Sequence, residues 1–172
     1  MVPYMDILRP SGRGMENVLS EAVKAVGAQG VVINHCERPV TLSVIKKTID
    51  RANELKMFSV VCADIVAKAQ AIVLLHPDII NSEPTELIGS GNVSDMSYVM
   101  EAIRAVKVID PAIMVEQDAE ITTAQQIYDF IVARSEAAGA TSDILNSPDP
   151  EALLDEMVYY VKKKDVVKVL LW

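Results

Sequence analysis

Positive charge is in short supply in this chain. It has 16 Lys and Arg against 24 Asp and Glu, for a net charge of −8 and an isoelectric point near 4.7. A sequence-independent nucleic-acid binder needs a basic face, so that class is excluded. Docking on anionic membranes is disfavoured for the same reason. Cysteine is also scarce. The two thiols, Cys36 and Cys62, do not make the disulfide framework of a small secreted protein, and they fit a reducing compartment. Long apolar runs are missing. Ala71–Leu75 is among the longest, far short of the ~20 residues that span a bilayer. The first residues, MVPYMDILRPSGRG, contain no apolar stretch of signal-peptide length. The expected location is the cytoplasm. Linkers, low-complexity segments and repeats beyond a βα unit are missing too. What is present is ample apolar material, 51% of residues, enough for a sizeable core. A chain of 172 residues is expected to be a single domain, 1–172.

Periodicity supplies the elements. Met15–Val26 has helical spacing, with Gly27 suited to the position after the last turn. Gly30–Asn34 is a short β-branched strand. Thr41 caps a helix to about Leu55, with Val44, Ile45, Ile49 and Ala52 on one face. Phe58–Ala63 is a strand, and Ile65–Leu75 a helix ended by Pro77. Asp78–Asn81 is a strand, followed by a long polar loop from Glu83 to Val93. Ser94 caps a helix to about Val108, and Ala112–Val115 is a strand. Thr122 or Thr123 opens a helix that ends near Gly139. Beyond it, ATSDILNSP offers at most a stub of strand. Ser147 caps a helix over Pro148–Lys163, and the β-branched tail from Val166 favours a strand. Helices of ten or more residues between short buried strands mean a parallel sheet covered by helices.

In such folds the chemistry collects at the carboxyl ends of strands. Three ends carry polar groups: NHCER at 34–38, NSEPTELIGSG at 81–91 and VEQDAEITT at 115–123. Cys36 neighbours His35, and alternation along a strand turns adjacent side chains to opposite faces. Cys36 is therefore expected to be a packed thiol, as is Cys62. Asp118 and Glu120 are expected to be solvated loop acids and not part of a metal site.

VVINHCERP resembles the histidine-bearing fourth strand of the triosephosphate isomerase family, and NSEPTELIGSG resembles its catalytic glutamate and mobile loop. The archaeal branch is the most similar, since its loop also runs Glu-Pro-x-Glu-Leu-Ile-Gly-x-Gly. The resemblance extends from Tyr4 to about Ala138. It implies an α/β fold, an incomplete TIM-type (βα) barrel of about five to six βα units with a parallel sheet. It also implies roles. His35 would polarise a substrate carbonyl, and Glu83 would move a proton between adjacent carbons. Glu37 would sit beside them, and loop 84–92 would close over the substrate. Gly89, Gly91 and Thr122 would be the substrate-binding positions, and Ser11–Gly14 would form a contact surface with another subunit. No cofactor and no metal is implied.

Against the family pattern, the match begins inside the third of eight units, near Tyr4–Asp6. An Asn-x-Lys motif at a strand end is not found. Asp118 and Glu120 stand where the seventh loop has glycines, and SDILNSPDP replaces a glycine-rich eighth loop. Acids at those places repel a phosphate dianion. The expectation is a triosephosphate isomerase-like protein, impaired or inactive as an isomerase, acting as a binding or structural subunit. A homo-oligomer or a larger complex would be its setting, and a small carbonyl compound its ligand. The alternative is an active aldose–ketose isomerase that uses His35 and Glu83 on triose phosphate or a related carbonyl, with missing elements supplied by another chain.

Overall fold

A computed structural model describes residues 20–87, 94–118, 120–162 and 168–170, the last of these by backbone alone. The strands are β1 (Gly30–Ile33), β2 (Phe58–Ala63), β3 (Ile79–Ser82), β4 (Met114–Gln117), β5 (Ala137–Gly139) and β6 (Lys168–Leu170). They form one sheet in the order β1-β2-β3-β4-β5-β6. Every neighbouring pair is parallel. A sheet whose spatial order follows the chain, with right-handed crossovers, keeps its helices on one face. That is barrel winding, and it differs from a doubly wound sheet, where the order reverses. The incomplete (βα) barrel expected from the resemblance is the fold found.

The described helices are α1 (Ser20–Ala25), α2 (Leu42–Glu54), α3 (Val66–Val73), α4 (Met96–Ile109), α5 (Ala124–Val132), α6 (Ser142–Leu145) and α7 (Pro150–Lys162). Gly27, at φ 90°, turns the chain after α1 without the penalty a Cβ would incur. α2 starts as expected: Thr41 accepts the N–H of Val44, and Ile45, Ile49 and Ala52 are buried. Ile45 and Ile49, with Ile72, Ile80, Ile127 and Phe130, fill the layer between helices and sheet.

Several expectations need correction. Val44 is 44% exposed and lies off the buried face of α2. α4 is capped by Asp95, which accepts the N–H of Ser97, and not by Ser94. β3 and β4 lie one to two residues beyond the spans expected. The helix expected to run to Gly139 stops at Val132, because Arg134 takes a left-handed φ of 74° and Ser135 N–H returns to Phe130 C=O. Ala137–Gly139 is then a strand, a segment whose small residues carry no β signal. Buried Ser135 secures it, donating its hydroxyl to the carbonyls of Val115 and Ala137. Ser142–Leu145 is helical, not a stub of strand. α7 begins at Pro150, with Asp149 accepting the N–H of Ala152. The tail strand is present as β6. The expected helix over 15–19 and the loop over 88–93 lie outside the described residues.

Register decides which side chains face inward. Val61, Ile80, Val115 and Ala138 belong to the core under the helices. Alternation then assigns the neighbouring row, Cys62, Asn81, Glu116 and Ala137, to the inner face of the curled sheet. The next inward positions along β3 and β4 are Glu83 and Asp118. Among the described residues no helix is long and apolar enough to cross a membrane.

Candidate active site

The site is built where β1, β2 and β3 end. β1 stops at Ile33, and Asn34 takes φ 64°, a left-handed conformation that Asn tolerates better than most residues. Its side chain fixes the turn. Nδ2 donates to Cys62 C=O at 2.9 Å, and Oδ1 accepts Val40 N–H at 3.0 Å. The next residue, His35, leaves the strand direction altogether. Its Nδ1 accepts the backbone N–H of Glu37 at 3.3 Å. A nitrogen that accepts an N–H carries no proton, so this bond assigns the neutral tautomer with the proton on Nε2. Nε2 faces Glu83 Oε2 at 4.0 Å.

Glu83 follows β3 directly. Its N–H donates to Ala63 C=O at 3.0 Å, which extends the β2–β3 ladder by one residue. The preceding Ser82 points the other way and donates to Tyr98 Oη on α4 at 3.1 Å. These bonds hold the strand end, and a 3₁₀ turn, Thr85–Leu87, begins just beyond it. The Glu83 side chain is 9% exposed. Burial first, then the charges of Asp118 and Glu120, push its pKa up to about 7. A carboxyl balanced at neutral pH can both take and return a proton. Asp118 and Glu120 are half-buried, in place of the solvated positions expected for them.

A cavity of about 200 Å³ opens beside this pair, lined by Asn34, Cys36, Pro39, Cys62, Asp64, Lys68, Glu83 and Thr85. Lys68, a turn into α3, is ion-paired to Asp64 at 2.6 Å. Deeper on the inner face, Glu116 is fully buried, and neither of its carboxyl oxygens has a hydrogen-bond partner among the described residues. Asn81 beside it in register has no partner for Oδ1 among the described residues. Burial, then Asp118 and Glu83, raise the Glu116 pKa well above the usual carboxylate range.

Of the positions singled out in the sequence, His35 and Glu83 are brought together. Glu37 is exposed, and it reaches His35 through its backbone N–H. Thr122 lies before α5 with its N–H on Gln126 Oε1 at 2.8 Å. Gly89 and Gly91 lie outside the described residues. Cys36 was misread. Alternation does not apply after Asn34 turns, and the thiol lines the cavity with Sγ 3.7 Å from His35 Nδ1. The signal was available, since Asn before a His-Cys pair is a natural strand breaker. Lys68, Asp64 and Glu116 had no motif to mark them. Among the described residues no group of three or more His, Cys, Asp or Glu is arranged to hold a metal ion.

Comparison with known proteins bears on the family and the fold. The family model described as triosephosphate isomerase matches residues 15–127. The triosephosphate isomerase of Methanoculleus marisnigri is 32% identical over 158 residues, which is 90% of this chain and 71% of that protein. That of Sulfurisphaera tokodaii is 31% identical, over 90% of this chain and 68% of that protein. Among solved structures, a 3-hexulose-6-phosphate synthase superposes with a TM-score of 0.63 at 18% identity, covering 81% of this chain and 65% of that one. A thiamine phosphate pyrophosphorylase from Pyrococcus furiosus gives 0.62 at 13% identity, covering 83% and 64%. At those identities the structures speak for the fold alone.

Proposed function

The chain belongs to the triosephosphate isomerase family, and from that premise we propose that it moves a proton between adjacent carbons of a small unphosphorylated carbonyl compound, while being impaired towards triose phosphate. One observation carries the reading. A neutral His35 Nε2–H and a buried Glu83 with a pKa near 7 face each other beside a cavity sized for a few carbon atoms. Nε2–H donates to the carbonyl oxygen and stabilises the charge that develops there. Glu83 takes the proton from the neighbouring carbon and returns it one carbon over. Glu37 orients His35 through its N–H. Gly89, Gly91 and Thr122 remain substrate-binding positions in this reading.

The impairment towards phosphate rests on the same electrostatics. Asp118 and Glu120 are close enough to raise the pKa of Glu83. A field that disfavours one carboxylate disfavours a phosphate dianion more. The cation on the cavity wall, Lys68, is already paired with Asp64.

Hydrogen exchange in D₂O tests the reading. Pure protein is expected to place solvent deuterium on dihydroxyacetone faster than on its phosphate, and Glu83→Gln is expected to lose that exchange. No exchange with dihydroxyacetone, or faster exchange with the phosphate, contradicts it. A second reading, assembly with further copies, is favoured by β1, which is an edge strand of the described sheet with half-exposed Phe58 beside its start. Sedimentation that returns the monomer mass at every concentration removes it.

A further inference from the structure

The cavity wall holds a nucleophile that proton transfer alone does not use. Cys36 Sγ lies 3.7 Å from His35 Nδ1, and His35 Nε2 lies 4.0 Å from Glu83 Oε2. Sγ is also 4.0 Å from His35 Nε2, so thiol and carboxyl cluster about the one imidazole, and both line the same cavity of about 200 Å³. We propose that Cys36, His35 and Glu83 together convert a small 2-oxoaldehyde into the corresponding 2-hydroxy acid, without a cofactor, through a thioester on Cys36.

Each step balances with the groups present. Sγ adds to the aldehyde carbon, forming the S–C bond, and the carbonyl π pair moves onto oxygen. The thiol proton passes to His35 Nδ1, and the imidazolium so formed protonates the new alkoxide. This gives a thiohemiacetal. Glu83 removes the proton from that carbon, and the electron pair moves onto the adjacent ketone oxygen as an enediolate. Glu83 returns the proton to the second carbon while the hydroxyl proton of the first carbon passes to the oxygen of the second, which leaves a 2-hydroxy thioester. The first carbon is oxidised and the second reduced by the same pair, so no outside oxidant is needed. Water then displaces the thiolate, which recovers its proton. The middle step is the adjacent-carbon proton shift of the proposed function, so the inference rests on that reading for Glu83.

The surroundings suit this order of events. Burial first, then Glu83 and Glu37, hold the Cys36 thiol protonated. It does not act as a free thiolate and needs the base that Nδ1 supplies. To do so, Nδ1 must release the N–H of Glu37 and the ring must turn its Nδ1 lone pair onto Sγ. A dicarbonyl carries no charge, so the acids that disfavour a phosphate do not disfavour it.

The probe is methylglyoxal with the full chain, followed by loss of the dicarbonyl, by chiral analysis of lactate, and by intact mass. Expected are catalytic lactate formation, deuterium at its second carbon in D₂O, and a hydroxylamine-sensitive adduct of one methylglyoxal on Cys36. Cys36→Ser and Cys36→Ala, each checked for an unchanged melting curve, should fall to the buffer background. Glu83→Gln should retain the thiohemiacetal and slow lactate formation about a hundredfold or more. Lactate formation that survives both Cys36 substitutions overturns the proposal, as does an adduct that never yields lactate. Exchange of dihydroxyacetone protons by the wild-type chain separates the two readings. Exchange without lactate formation ends this inference and leaves the proposed function standing, whereas absence of both ends both.

Discussion

The end of β1 and the end of β4 solve the same problem in opposite ways. At the end of β1, Asn34 and His35 are held by neutral hydrogen bonds to Cys62, Val40 and Glu37, and the turn opens onto a cavity. At the end of β4, Glu116 and Gln117 are fully buried, and no side-chain oxygen or nitrogen of either has a partner among the described residues. The first end is organised and costs little. The second carries unfavourable burial. Glu83, on the strand between, experiences both, since it faces His35 and is pushed towards a neutral pKa first by its own burial and then by Asp118 and Glu120 beyond β4. Burial next to fixed acids is what makes a usable base at the neighbouring strand end.

The largest effect comes from removing that base. Glu83→Gln keeps the shape and is expected to slow proton exchange about 10²–10⁴-fold. In the wild type the base form exists only above its pKa, so exchange should rise with pH through about 7. A rate independent of pH between 5 and 9 would separate Glu83 from the chemistry and dissolve the link between the two ends.

Next in size is the organised end itself. Asn34→Ala removes a donor to Cys62 C=O and an acceptor for Val40 N–H, and it leaves an Ala at φ 64°. The expected loss is about 2–4 kcal/mol in urea unfolding. Asn34→Gly keeps the backbone conformation and should lose less. Equal losses would assign the whole effect to the hydrogen bonds.

The buried end should respond with the opposite sign. Glu116 has a raised pKa in the folded state, so between its ordinary value and that raised value the folded protein holds a proton the unfolded chain has released. Stability then falls as pH rises above about 4.5. Glu83 adds to the same trend up to about 7. Glu116→Met removes the buried ionisable group and should raise stability at pH 8 by about 1–3 kcal/mol, with a smaller gain at pH 5. A variant less stable than wild type at pH 8 would mean that Glu116 is satisfied in solution.

The contrast also explains what was legible. α2, β2 and the capped start of α5 are fixed by local chemistry, namely a Thr cap, a β-branched run and a Thr-to-Gln box. They were expected within a residue or so. β5 was not legible, because Ala137–Gly139 has no strand signal and is held by Ser135, a residue that matters only once β4 is beside it. His35 and Glu83 were legible as motifs by resemblance. Cys36 was misassigned because a period-two rule was carried past Asn34, where the backbone turns. Glu116 carried no signal at all. Its significance is burial without a partner, a property of the assembled sheet and not of the segment.

The smallest effect tests whether the β4 end is strained throughout or only at its inward face. Directly after the buried acids, α5 opens with a complete capping box. Thr123 Oγ1 accepts the N–H of Gln126, and the Gln126 side chain accepts the N–H of Thr123. Thr123 is exposed, Gln126 is half-buried, and both groups are satisfied, so the strain around Glu116 does not extend to them. Thr123→Ala should therefore cost about 1 kcal/mol, the usual worth of a cap. That corresponds to a melting shift of about 2–4 °C for a chain of this size. The shift should be the same at pH 5 and pH 8, since no titrating group takes part in the box. A loss that grows with pH would mean that the cap also restrains the Asp118–Glu120 turn, and that the two faces of the β4 end are coupled.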